Sequence, residues 1–104
     1  MCMALMQITV IPVGTGAASV GDYVAGVIKL LRKTGVSYEL GDMGTVIHGS
    51  ATDLLKTAAA IHEYPFGQGA ERVVTNILLD DRRDQDRAIG EKRRSVLDRL
   101  GGEQ

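Results

Sequence analysis

Gly14 and Gly16 stand in the stretch VGTGAASVGDY (13–23), between an alternating apolar run and a segment with the spacing of an amphipathic helix. At a strand-to-helix corner these are the first two glycines of the dinucleotide-binding pattern G-x-G-x-x-G, and Glu39 falls at roughly the downstream distance of its ribose-binding acid. Ser19 takes the place of the third glycine. Backbone N–H groups at such a corner, with the Thr15 and Ser19 hydroxyls, suit a phosphate or another polar ligand. A glycine corner closed by Ser19 as an N-cap accounts for the same residues without a ligand. A second group is Met43, Gly44 and Thr45: glycine lets a flat heterocycle approach the backbone, and a thioether packs well on an aromatic ring. A plain hairpin turn uses those residues too. Tyr23 is a pocket wall or a core tyrosine, and His48 is a ligand contact or an ordinary strand histidine.

Other combinations carry less. His48 and His62 belong to different elements, and Glu63, Asp80 or Asp81 would have to converge on them to hold a metal, which nothing in the spacing requires. Cys2 is the sole cysteine, so no disulfide closes within the chain, and no basic neighbour prepares it as a nucleophile. Arg82 and Arg83 in LDDRRDQDR are equipped to hold an anion, but the interleaved aspartates favour ion pairs within the chain or between copies. The basic run EKRRSVLDR is diluted by Glu91 and Asp98 and has no aromatic companions, so nucleic acid is not an expected partner.

The elements that must position these residues follow from periodicity. Met6, Ile8 and Val10 alternate with Gln7, Thr9 and Ile11 as a strand over 5–13, ended by Pro12. Val20, Tyr23, Val24, Val27, Ile28 and Leu31 form one helix face, with Gly35 as the residue after its end. VSYEL and TVIHG read as a hairpin about GDMG, and Leu54, Leu55, Ala58 and Ile61 as a second helix, capped by Ser50 or Thr52 and stopped by Pro65. RVVTNILLD (72–80) is a strand rich in branched aliphatics. The charged remainder (81–100) reads as a helix with Ile89, Val96 and Leu100 as a thin apolar stripe.

The order β-α-β-β-α-β plus a C-terminal helix predicts an α+β fold, a ferredoxin-like sandwich, in one domain spanning 1–104. The short GDMG connection makes its two strands antiparallel, which argues against a Rossmann unit. The 104 residues support one core, and twelve basic against thirteen acidic side chains imply neither a nucleic-acid nor a membrane partner. The apolar N-terminus is too short to span a bilayer and reads as a strand. Both helices of such a fold pack on one side of its sheet, so Val74 and Leu78 on the other side predict a homo-oligomer.

The blocks IPVGTGAASVGDYVAGVIKLL, GDMGTVIHG, IHEYPFGQGAERVVTNILLDDRRD and K..SV, in that order, resemble the small YkoF-like thiamine-binding family. The resemblance implies a ferredoxin-like protomer, assembly into dimers or tetramers through the sheets, and binding of thiamine or its hydroxymethylpyrimidine part; it establishes no catalytic activity, and neither catalysis nor a cofactor is expected. It places Thr15, Ser19, Tyr23, Met43, Gly44, Thr45 and His48 at the ligand. His48 departs from the family, which commonly reads MGT.IEG; a carboxylate there can offset a positive thiazolium, whereas a histidine cannot. His48 is therefore expected to face the pocket and to make thiamine binding pH-dependent. The chain is expected in the cytoplasm as a small-molecule binder; the alternatives are a structural oligomer with a vestigial pocket and an enzyme on a thiamine-related metabolite.

Overall fold

The computed structural model describes residues 3–14, 20–85 and 88–101, with the backbone alone at Val20. The elements run β1 (Ala4–Pro12), α1 (Val20–Thr34), β2 (Ser37–Leu40), β3 (Thr45–Gly49), α2 (Ala51–Gly67), β4 (Val73–Asp80) and α3 (Glu91–Arg99). The four strands form one sheet in the order β2-β3-β1-β4, with every neighbouring pair antiparallel. This is the ferredoxin-like arrangement predicted from the element order.

Alternation divides the sheet into two faces. Ala4, Met6 and Ile8 of β1 and Ile47 of β3 point to the helix side and join Val27, Leu31, Leu54, Ala58 and Ile61 in the core. Met6, Leu31, Ile47, Leu54 and Ile61 are almost wholly shielded from solvent, and burying a side chain of this kind contributes about 1.5–3 kcal/mol. Leu5, Gln7, Thr9 and Ile11 point the other way, in register with His48 and Val46 on one side and Asp80, Leu78, Asn76 and Val74 on the other.

Local signals explain the helix ends. Gly35 follows α1 with φ +74°, a conformation that only glycine adopts readily, while Arg32 and Lys33 in the last turn complement the helix dipole. The Ser50 hydroxyl accepts a hydrogen bond from the Asp53 N–H at 3.2 Å and caps α2. Ser19, the expected cap of α1, lies outside the described residues.

Two expectations are corrected. Pro65 does not stop α2, which continues to Gly67. The ring removes one N–H from the last turn, but it is fully buried, and the Pro65 carbonyl accepts from the Gln68 and Ala70 N–H groups at 3.0 Å each. The C-terminal helix is shorter than the predicted 81–100 and begins at Glu91, because Gly90 has φ +89° and breaks any helix entering from before it. Upstream, Arg82 pairs with Asp84 and Arg83 with Asp81, two residues apart, a spacing that a helix does not bring together.

Candidate functional site

Where β1 ends and α1 begins, a cavity of about 300 Å³ opens between the helix side of the sheet and the first half of α1. Ile8 and Val10 form its floor, Tyr23, Val24 and Val27 one wall, and residues 40–45 the other. That second wall is held by three local devices. The Gly41 N–H donates to the Gly44 carbonyl at 3.0 Å, closing the β2–β3 turn. Thr9 Oγ1 donates to the Met43 carbonyl at 3.3 Å, tying the turn to β1. Gly44 lies so close to β1 that an added Cβ would stand 3.0 Å from Thr9 Oγ1 and 3.1 Å from Gln7 Cγ, a tight fit that would push those side chains aside.

The lining is largely apolar with few polar groups. Thr45 and Tyr23 are each only 6% exposed, and among the described residues neither hydroxyl is hydrogen-bonded to another. Asp42 brings a carboxylate to the rim from the exposed part of the turn. An apolar enclosure with a few polar groups is the usual form of a small-molecule site, and about 300 Å³ is at the small end of the range, the size for a ligand of one or two rings.

Of the residues singled out from sequence, Tyr23, Met43, Gly44 and Thr45 come together here. Thr15 and Ser19 lie outside the described residues; Gly14, at the start of that corner, has φ +71°, as a tight turn needs. His48 is a correction. It lies three residues after Thr45 on β3, so alternation carries it to the opposite face, in register with Leu5 and Ser37, and it does not line this cavity. Asp42 was missed by sequence reasoning, although its place beside Met43 in GDMG was the available signal.

A second cavity of about 460 Å³ lies on the other face, between Leu5, Gln7 and Val46 of the sheet and residues 88–93. Its lining is largely apolar with Glu39, Asp42, Glu91, Lys92 and Arg93 among it, and Arg93 Nη1 stands 3.8 Å from Glu39 Oε1 across it. His62, the other candidate ligand of a metal, instead meets Thr75 Oγ1 at 2.7 Å through Nδ1 and sets its ring edge against Phe66. Among the described residues no three histidine, cysteine or acidic side chains gather as metal ligands.

A four-stranded antiparallel sheet with two helices on one side, and a cavity where the first strand meets the first helix, defines a ferredoxin-like α+β protein. Solved structures agree: a domain of unknown function from Bacillus cereus superposes with a TM-score of 0.79 at 28% identity over 88% of this chain and 86% of that one, and the Methanocaldococcus jannaschii hypothetical protein MJ1052 with 0.76 at 29% identity over 99% and 100%. The chain belongs to the family described as thiamine-binding protein, whose model matches residues 6–97. It is 44% identical over 98 residues to the UPF0045 protein YqgV of Bacillus subtilis, covering 90% of this chain and 94% of that one. A Staphylococcus xylosus UPF0045 protein is likewise 44% identical over 98 residues, covering 90% of this chain and 92% of its own. No described helix is long and apolar enough to cross a membrane.

Proposed function

We propose that this chain is a non-catalytic binding protein for thiamine or its hydroxymethylpyrimidine part, acting in the cytoplasm as a homo-oligomer, with the cavity between α1 and the β2–β3 turn as its site. The observation that carries this reading is the pairing of an apolar cavity of about 300 Å³ with two shielded hydroxyls and one rim carboxylate. The family description supports the ligand class. The aminopyrimidine, flat and rich in donors and acceptors, suits the Thr45 and Tyr23 hydroxyls, with the Met43 thioether and Gly44 backbone along its face. The cationic thiazolium then sits toward the rim, where Asp42 supplies the negative charge that His48 does not.

Calorimetric titration with thiamine and with neutral hydroxymethylpyrimidine tests this. Saturable binding of both is expected. Asp42→Asn should weaken thiamine by about threefold to tenfold, the size of one screened charge pair, and leave hydroxymethylpyrimidine unchanged. Absence of a saturable signal with either compound would reject the reading, and chemical conversion of the bound compound would move the protein to the enzymes.

A further inference from the structure

β1 outruns one of its two neighbours. Its ladder with β3 runs from Ala4 opposite Gly49 to Ile8 opposite Thr45 and stops there, whereas its ladder with β4 continues to Pro12. Thr9 to Pro12 therefore have a paired strand on one side only.

One bond fixes which backbone groups this leaves over. The Val13 N–H donates to the Arg72 carbonyl at 2.9 Å, so the directly opposed pair 13 and 72 is hydrogen-bonded. Bonded and unbonded pairs alternate along an antiparallel ladder, which turns the N–H and C=O of Thr9 and Ile11 to β4 and the backbone groups of Ile8, Val10 and Pro12 to the β3 side. Ile8 meets Thr45 there. Val10 would meet Met43 if the ladder went on, but the chain turns back at Asp42 and Met43, and the Met43 carbonyl accepts from the Thr9 hydroxyl instead. Among the described residues, no group pairs with the Val10 N–H or carbonyl. Pro12 agrees with this: it stands in the same orientation, and a sheet tolerates a residue without an N–H only where the ladder asks for no donor.

The gap opens into the cavity beside α1. Residues 8 to 11 line that cavity from both faces of β1, and residues 40–45 close its far side, so it passes through the plane of the sheet where β3 departs. A backbone donor and acceptor facing an enclosed space need a partner, and Val10 offers both side by side.

We infer that Val10 determines the specificity of this cavity through its main chain, by reading a heteroaromatic edge that carries a ring nitrogen beside an exocyclic amine. The ring nitrogen accepts from the Val10 N–H and the amine donates to the Val10 carbonyl, so the ring takes the place that a further residue of β3 would fill. This rests on the reading of the cavity as a pyrimidine site and states which edge of the ring is recognised. The amine of hydroxymethylpyrimidine and the ring nitrogen next to it form such an edge. In the 4-oxo analogue the order is reversed, so that donor faces donor and acceptor faces acceptor.

The test reads the amide itself, by nitrogen-15 NMR on the full chain. In the free protein the Val10 amide should exchange with deuterium at least tenfold faster than the ladder-bonded amides of Ile8 and Thr9. Saturating hydroxymethylpyrimidine should slow it by tenfold or more, and the 4-oxo analogue should bind at least tenfold more weakly in calorimetry. Val10→Pro removes the N–H without touching a ladder bond and should lower the affinity for hydroxymethylpyrimidine by about tenfold, while Val10→Ala, which keeps the N–H, should keep the slowing. If Val10→Pro fails to fold, the exchange measurement on the parent decides. A Val10 amide as protected in the free chain as its neighbours would overturn the inference. So would unchanged Val10 exchange while the Thr45 and Tyr23 signals shift, an outcome that leaves the cavity as the site. A titration that shifts no signal overturns the ligand reading and this inference with it.

Discussion

Thr45 and His48 are three residues apart on one strand, and their alternation sends one toward α1 and the other to the far face. That separation decides which of them a ligand in the cavity can feel. Thr45→Val keeps shape and removes the hydroxyl, so affinity for hydroxymethylpyrimidine should fall by about tenfold, the worth of one hydrogen bond in a shielded site, with little change in melting temperature. Tyr23→Phe should act in the same direction. His48→Gln should leave both the affinity and its pH profile as in the parent; a flattened profile in calorimetry would put the histidine back at the ligand. A different titration belongs to Asp81. The hydrogen bonds from the Arg83 guanidinium to Asp81, at 2.8–3.3 Å, hold its carboxyl below the ordinary value of 3.8. A depressed carboxylate contributes its interaction at neutral pH and loses it as the pH falls through its own range, below about 4. Arg83→Ala should raise the Asp81 midpoint in an NMR titration, and an unmoved midpoint would dissolve the pair.

At the scale of elements, the packing of α1 on α2 rests on an absent side chain. Gly26 faces Tyr64, and a Cβ at that position would overlap the Tyr64 ring. Alanine normally gains about 1 kcal/mol over glycine inside a helix. Gly26→Ala should nevertheless destabilise by about 1 kcal/mol or more because the ring is displaced. In a Tyr64→Ala background the same change should stabilise. Denaturant titration of the four proteins checks the reversal of sign, and additive effects would deny the contact. Most of these elements could be read from the chain because one physical rule governed each: the Val27–Leu31 stripe for α1, the Ser50 cap for α2, alternation for β1 and β3. The failures came where two rules competed. Pro65 removes a helix hydrogen bond, yet its buried ring keeps the last turn in place. In 81–85 and 88–90, charge density resembled a helix surface, but pairs two residues apart and the positive φ of Gly90 keep these described residues out of a helix. For the cavity, residue types pointed to Tyr23 and the 43–45 turn, which the structure brings together; the face of His48 depended on strand register, and the place of Asp42 at the rim on the direction of the turn, neither of which a local pattern contains.

As a whole, the molecule is more extended than its length requires. Its radius of gyration is 15.4 Å with extents of 48 × 33 × 21 Å, against about 13 Å for an ordinary domain of 100 residues. α3 buries no residue, and an exposed contact of Arg93 with Glu39 links it to the sheet. A chain ending at Asp84 should therefore fold, melt within about 5 °C of the parent and bind hydroxymethylpyrimidine as before, because residues 8–61 alone line that cavity. Loss of cooperative melting would assign α3 a part in the core. The turn at 41–44 is in a different position, since its residues line the cavity on one face of the sheet and the cavity on the other. It is a party wall, and a party wall cannot be rebuilt for one tenant. Any substitution at Asp42, Met43 or Gly44 alters two chambers together, so selection acting on whatever occupies one is constrained by what the other must keep, and the four-residue turn can drift only as far as both permit.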